Sequence, residues 1–325
     1  MRRRDFLAAI GGVTLSSLGA GAQNTGRTHR IGLFTAGLPL TDNNFMAAPT
    51  LRGLANRGYV QGQNLAIERR AAEGRPELLP QFAAELADRV DVIVAFGFPA
   101  AAAAKAVGKV PVVIFGTGDP VGTGLAVSLA RHGGKITGIS DVAAELAPKR
   151  LSLLKEAVPS LRRVAMLWNV GDPGMTLRYE VSAAKATELG ILVVPLPVRG
   201  PDDFGQAITA MTEQPPDGLF MVADGLTALN RKRIVDFAAS KRLPAMYEFS
   251  FIVREGGLMS YGPDLEETFA QAASLIDRLL RGANPEDLPF EQPTRFSLAV
   301  NRGTAAKIGL ELPVSLLAQA NEVIE

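Results

Sequence analysis

A β-branched run at residues 112–115 leads into Gly116, Thr117, Gly118, Asp119 and Pro120, a set whose free amides and single hydroxyl suit an anion. The glycines stand at 116, 118 and 122, a G-x-G-x-x-x-G spacing rather than the G-x-G-x-x-G of dinucleotide folds, and no G-x-x-x-x-G-K-[ST] occurs. Phe96-Gly97-Phe98-Pro99 repeats the logic: a strand ends, Gly lets the backbone come close, and Pro99, like Pro120, pre-sets the first turn of a helix. A phosphate would bring a Lys or Arg into such a loop, and neither loop has one. A single carboxylate, held by amides and the Thr117 hydroxyl, fits better. Asp119 reads either as a helix N-cap or as a ligand contact.

The complementary charge lies further on. Asp224 ends an apolar run at 218–223, where a carboxylate can accept from an ammonium group, with Asn169 and Glu248 as helpers. Asn169 equally suits the turn at Gly171-Asp172-Pro173. Phe98, Trp168, Tyr247 and Tyr261 stand at strand ends, either as core or as lining for an apolar side chain. Catalysis has little material: there is no G-x-S-x-G and no Cys, and only two histidines, of which His132 reads as a residue at a helix C-terminus. Two carboxylates at a cleft would still suffice for acid–base work, which leaves an enzyme as the weakest of three readings. No catalytic residue, metal or cofactor is expected.

These loops need a frame that gathers them. Strand-like runs at 31–37, 64–72, 91–97, 112–118 and 136–140 alternate with helical stretches at 44–58, 76–89, 99–108 and 122–134. After a helical stretch at 141–161 the rhythm restarts, with strands at 163–169, 191–198, 218–224 and 244–250 and helices at 175–190, 202–214 and 226–242. This βα repetition predicts two Rossmann-like α/β lobes with parallel sheets, joined near 138–145, whose ligand lies beyond the carboxyl ends of the strands. A tail remains. It holds a strand, a helix opened by Asp264 with Glu267 three residues on and closed by Gly282, then a further strand and helix within 296–313. A chain with two lobes complete and some sixty residues left is expected to cross back, making a hinge of several strands. The expected division is 30–140 plus about 262–290 for the first lobe and 141–261 plus about 291–325 for the second.

At the N-terminus, Arg2-Arg3-Arg4 precedes a short apolar, small-residue stretch ending in Ala20-Gly21-Ala22, which reads as a signal peptide over residues 1–22. Arg3-Arg4-Asp5-Phe6-Leu7 is similar to a twin-arginine export signal, with a general secretory signal as the alternative. Cleavage there takes three of the 34 basic and one of the 33 acidic residues, leaving 31 against 32 and a formal charge of −1. That charge carries no nucleic-acid footprint, and no later segment reads as membrane-inserted. The expected location is the periplasm.

The segments RRRDFLAAIGG, DPVGTGLAVSLARHGGKITG, RLPAMYEFSFIVREGGLMSYGPDL and QPTRFSLAVNRGTAAKIGLELP resemble the periplasmic substrate-binding proteins of ABC importers, in the group that includes tryptophan and tyrosine binders. The resemblance runs nearly end to end. It implies a type 1 periplasmic-binding fold, with three crossing segments as hinge and a ligand closed between the lobes. It places Gly97-Phe98-Pro99, Thr117 to Pro120, Asp224 and Tyr261-Gly262 at the cleft. Where many relatives have a small hydroxyl residue before the proline, this chain has Phe98, which shifts the expected contact there toward an apolar or aromatic one. The implied function is capture of a small organic solute, such as an amino acid, for an ABC permease with its ATPase. A receptor feeding a sensor kinase is the alternative.

Overall fold

A computed structural model describes residues 27–131 and 133–325; the leader at 1–22 and His132 lie outside them. The first lobe is built on β1 (His29–Thr35), β2 (Leu65–Ala71), β3 (Val92–Phe96), β4 (Val112–Phe115) and β5 (Ile136–Gly138), all parallel, in the order β2-β1-β3-β4-β5. Helices α1 (Ala47–Ala55), α2 (Leu79–Ala87) and α3 (Phe98–Val107) supply its crossovers. α4 (Ala143–Ala157) then opens the second lobe.

That lobe carries β6 (Arg163–Asn169), β7 (Leu192–Val198), β8 (Gly218–Met221), β9 (Ala245–Tyr247), β10 (Met259–Pro263), β11 (Phe296–Asn301) and β12 (Glu322–Ile324), in the order β12-β11-β10-β9-β8-β6-β7. Its helices are α5 (Pro173–Glu188), α6 (Asp203–Glu213), α7 (Gly225–Ser240), α8 (Ser250–Arg254), α9 (Leu265–Leu280), α10 (Arg302–Ile308) and α11 (Val314–Gln319). Of these, α9 belongs spatially to the other lobe. Its buried stripe of Phe269, Ala272, Ala273 and Ile276 packs into one core with Val94, Phe96, Val113 and Phe115. The chain then returns to the second sheet as β11, which runs antiparallel to β10 because it arrives from the opposite side.

Three segments therefore cross between the lobes: 139–142, 262–264 and 291–295. Their backbones hold one another. Ser140 N–H donates to the Glu291 carbonyl at 2.9 Å, Glu291 N–H to the Gly138 carbonyl at 2.9 Å, and Asp264 N–H to the Arg295 carbonyl at 3.0 Å.

One expected helix does not form. Residues 121–131 are a chain of turns rather than a crossover helix. The Asp119 side chain accepts from Val121 N–H at 2.9 Å, the Asp119 carbonyl accepts from Thr123 N–H at 3.0 Å and from its hydroxyl at 2.7 Å, and Gly124 takes φ +76°, so the backbone curls and leaves helical space before a second turn is complete. Pro99 does sit in the first turn of α3, whereas Pro120 starts no helix. Among the described residues no helix is long and apolar enough to cross a membrane.

Candidate functional site

In both sheets the strand order reverses beside one central strand. β1 separates β2 from β3, and β6 separates β7 from β8. Crossovers leave in opposite directions at such a point, so a crevice opens at the carboxyl ends of those strands. Here the two crevices face each other. A cavity of about 50 Å³ lies between them, with Thr35, Phe96 and Gly97 from the first lobe's strand ends and Ala223, Asp224 and Gly225 from the second's. Phe45, Phe115, Phe249 and Phe251 add apolar walls, and Asp141 and Arg178 add charge. A second recess of about 120 Å³ shares Phe96, Gly97, Asp224 and Gly225, and adds Asn169, Gly171, Pro99 and Arg199.

The lobes touch around the cavity. Phe45 stacks on Phe251 with centroids 4.1 Å apart and ring planes 27° from parallel. Gly37 meets Gly225 backbone to backbone: a Cβ on Gly37 would stand 2.8 Å from the Gly225 carbonyl oxygen. A side chain on Gly37 forces the two backbones apart, and one on Gly225, 3.1 Å from the Gly37 nitrogen, crowds the same contact. Gly37→Ala is therefore expected to leave each lobe folded but prop the cleft, weakening solute binding about tenfold, in line with the ~1–3 kcal/mol of overpacking a dense contact. Small-angle scattering with saturating solute checks this, because the variant should keep a larger radius of gyration than the parent.

Each charged group is set by its element. Asp224 is the N-cap of α7: it accepts from Thr227 N–H at 2.8 Å while the Thr227 hydroxyl accepts from Asp224 N–H at 2.8 Å. Its other oxygen accepts from Asn169 Nδ2 at 2.6 Å, and burial raises its pKa against these bonds. Asp172 caps α5 in the same way, accepting from Gly174 and Met175 N–H at 2.8 and 3.3 Å, while its Oδ2 is buried without a partner. Burial, and next the Asp224 carboxylate, push Asp172 up to about 7.

Beneath them runs a buried ion chain. Arg178 donates from Nη2 to Asp141 at 3.0 and 3.3 Å and from Nη1 to Glu248 Oε2 at 2.7 Å. Glu248 Oε1 accepts from Arg150 Nη1 at 3.0 Å, and Arg150 Nε donates to the Tyr261 carbonyl at 2.6 Å. All four side chains are at most 4% exposed. Burial works against the charge on Arg178, but Asp141 and Glu248 more than reverse it and hold its pKa above the ordinary value. On Arg150 burial prevails and lowers it.

Of the residues singled out from sequence, Gly97 and Asp224 line the cavity and Asn169 lines the adjoining recess. Gly97 takes φ +86°, a conformation open to Gly, which lets α3 begin directly over the cavity. Phe98 packs against the first-lobe core. Thr117 is fully buried, its hydroxyl without a partner, and Asp119 is occupied with its turn. Tyr247 is fully buried in the second-lobe core, Tyr261 packs beside another part of that core, and neither lines the cavity. Trp168 stacks on Tyr179 at 3.7 Å, also within the second lobe. Sequence reasoning missed Asp141 and Arg178 as lining, and Arg150 and Asp172 behind them.

The sequence model of the ABC transporter substrate binding protein family matches residues 48–324. The chain belongs to that family. As a substrate-binding protein it captures a small solute for an ABC transporter. It is 24% identical to a tyrosine-binding protein of Clostridioides difficile over 263 residues, covering 80% of this chain and 75% of that one. A crystal structure of an ABC domain in complex with L-Trp, from Streptococcus pneumonia, is similar with a TM-score of 0.81 and 25% identity, over 90% of this chain and 100% of that one. A conserved domain protein of Vibrio cholerae shares the fold of this substrate-binding protein with a TM-score of 0.84 and 24% identity, over 91% and 100% of the two chains. These neighbours carry the type 1 periplasmic-binding fold.

Proposed function

We propose that this substrate-binding protein captures an amino acid with an apolar side chain in the cavity between its lobes and presents it to an ABC permease with its ATPase, without altering it. The observation that carries the reading is the lining itself: aromatic rings enclose one part of the cavity, and a half-buried carboxylate, Asp224, stands at the wall it shares with the outer recess. The ammonium group lies against Asp224, oriented by Asn169, and the carboxylate takes amides from the first lobe near Gly97. The ligands of the two relatives, tyrosine and L-Trp, are of this class. Capture by closure follows from contacts to both lobes, which favour the shut state only when solute is present. The lobes divide at the crossings, as 30–140 with about 262–290 and 141–261 with about 291–325. Residues 1–22 direct export to the periplasm.

A thermal-shift screen against amino acids, small carboxylates and nucleobases tests the ligand class, since a solute at a hundred times its Kd stabilises the folded protein by about 2.7 kcal/mol. An apolar amino acid should give the largest shift, and carboxylates without an ammonium should give none. Asp224→Asn keeps a competent N-cap but removes the charge, so Kd for the best amino acid should rise roughly 10- to 150-fold, the worth of a charged hydrogen bond at about 1.5–3 kcal/mol. A simple carboxylate binding as well as its amino acid, or an unchanged Kd in Asp224→Asn, sinks the reading.

A further inference from the structure

The buried ion chain reaches beyond the cavity. Arg178 and Asp141 line it, yet Arg150 and Glu248 do not. Asp141 belongs to the first crossing segment, and Arg150 grips the carbonyl of Tyr261, the residue that leads into the second. Both guanidiniums stem from second-lobe helices, α4 and α5, and Glu248 follows β9 of the same lobe. The backbone at these places is equally committed. Arg150 Nη1 also donates to the Ala143 carbonyl at 3.1 Å, Asp141 accepts from Ala143 N–H at 3.2 Å, and a Cβ on Gly262 would stand 2.2 Å from the Glu248 carbonyl oxygen. The third crossing is bonded to the other two through Glu291 and Arg295.

We infer that Arg150 and Glu248 are positioning residues of the solute site, which bind the crossing segments and Arg178 into one rigid unit with the second lobe. Opening then takes place on the first-lobe side of Asp141 and Tyr261. The Asp141–Arg178 pair survives it, so the second lobe offers the solute a preformed half-site and the first lobe swings shut over it. This rests on the cavity being the solute site, but on no particular solute.

The chain has no Cys, so spin labels placed by Gln81→Cys on α2 and Lys232→Cys on α7 report the distance between lobes without further changes. The test variant is the double replacement Arg150→Met with Glu248→Gln, which removes one charge of each sign and leaves Arg178 paired to Asp141. Expected results are a broadened interlobe distance distribution in the ligand-free protein and a Kd for L-tyrosine or L-tryptophan raised at least tenfold. Arg150→Lys, which keeps the charge but cannot reach Glu248, Ala143 and Tyr261 together, should broaden the distribution as well, and serves if the double variant does not fold. A distribution of parental width in the folded variant overturns the inference, whatever happens to Kd or melting temperature, because losing a merely structural contact raises the one and lowers the other and leaves the hinge alone. The spin-label measurement needs no solute. A parent that binds neither amino acid therefore removes the proposed ligand, and the distance distribution alone then decides this inference.

Discussion

Arg178→Met should unfold the protein more readily by about 3–5 kcal/mol, the usual consequence of removing one member of a buried ion pair and leaving its partner charged and unsolvated. Two carboxylates depend on this guanidinium, Asp141 at 3.0 Å and Glu248 at 2.7 Å, and both are almost wholly buried. Glu248 retains Arg150; Asp141 retains only the Ala143 amide. Most of the loss should therefore be recovered by Arg178→Met combined with Asp141→Asn, which takes away the stranded charge and keeps an acceptor for that amide. Urea unfolding of parent, single and double variants decides it. A single variant within about 1 kcal/mol of the parent would mean that the ion chain contributes no more than an ordinary surface contact. Solute binding should not return with stability in the double variant, since one charged wall of the cavity is gone.

Asp172 should make stability fall as pH rises. Its folded pKa of about 7 lies above an unfolded value near 4, so between the two the folded state holds a proton that the unfolded chain has released. Stability from this group is complete below about pH 4, declines through the window from 4 to 7, and is flat above it, with a total change on the order of 4 kcal/mol. Asp172→Asn keeps the cap on α5 and cannot ionise. At about pH 3 it should match the parent closely, at about pH 5 exceed it by about 1.4 kcal/mol, and at about pH 8 by about 4 kcal/mol. Asp224 shifts in the same direction and other carboxylates, such as Asp277, in the opposite one, so the variant-minus-parent difference is the quantity to follow. Equal melting temperatures at pH 8, or an advantage for the parent there, would show Asp172 ionised in the folded protein without cost.

The alternation of β-branched runs with amphipathic stretches was enough to define both lobes, because the central strands β3, β4, β6 and β8 are buried on two faces and read as continuous apolar segments. Asp264 with Glu267 marked the start of α9 for a local reason, a side chain that accepts from a nearby backbone N–H. The stretch at 122–131 failed for a local reason as well: its apolar residues have helical spacing, but Gly124 and the Asp119 turn outweigh that weak preference. At the site, Gly97 and Asp224 were readable from position, at strand ends where backbone must come close or a helix must be capped. Arg178 and Arg150 were not, since each sits within a helix and meets its carboxylates only through the tertiary fold. A signal was nevertheless present. Arg178 shares a stripe with Met175, Ser182 and Ala186, and Arg150 with Ala143, Ala147 and Leu154, all buried. A cation on a stripe that must be buried requires an acid to meet it there.

The backbone contact between Gly37 and Gly225 separates two tasks that one surface often shares. Shutting rests in part on two residues with no side chain to vary, while the taste of the chamber belongs in part to half-buried rings at 45, 249 and 251, which can be exchanged without emptying either core. Descendants of this protein can thus acquire new cargo by repainting the walls, without having to reinvent the door.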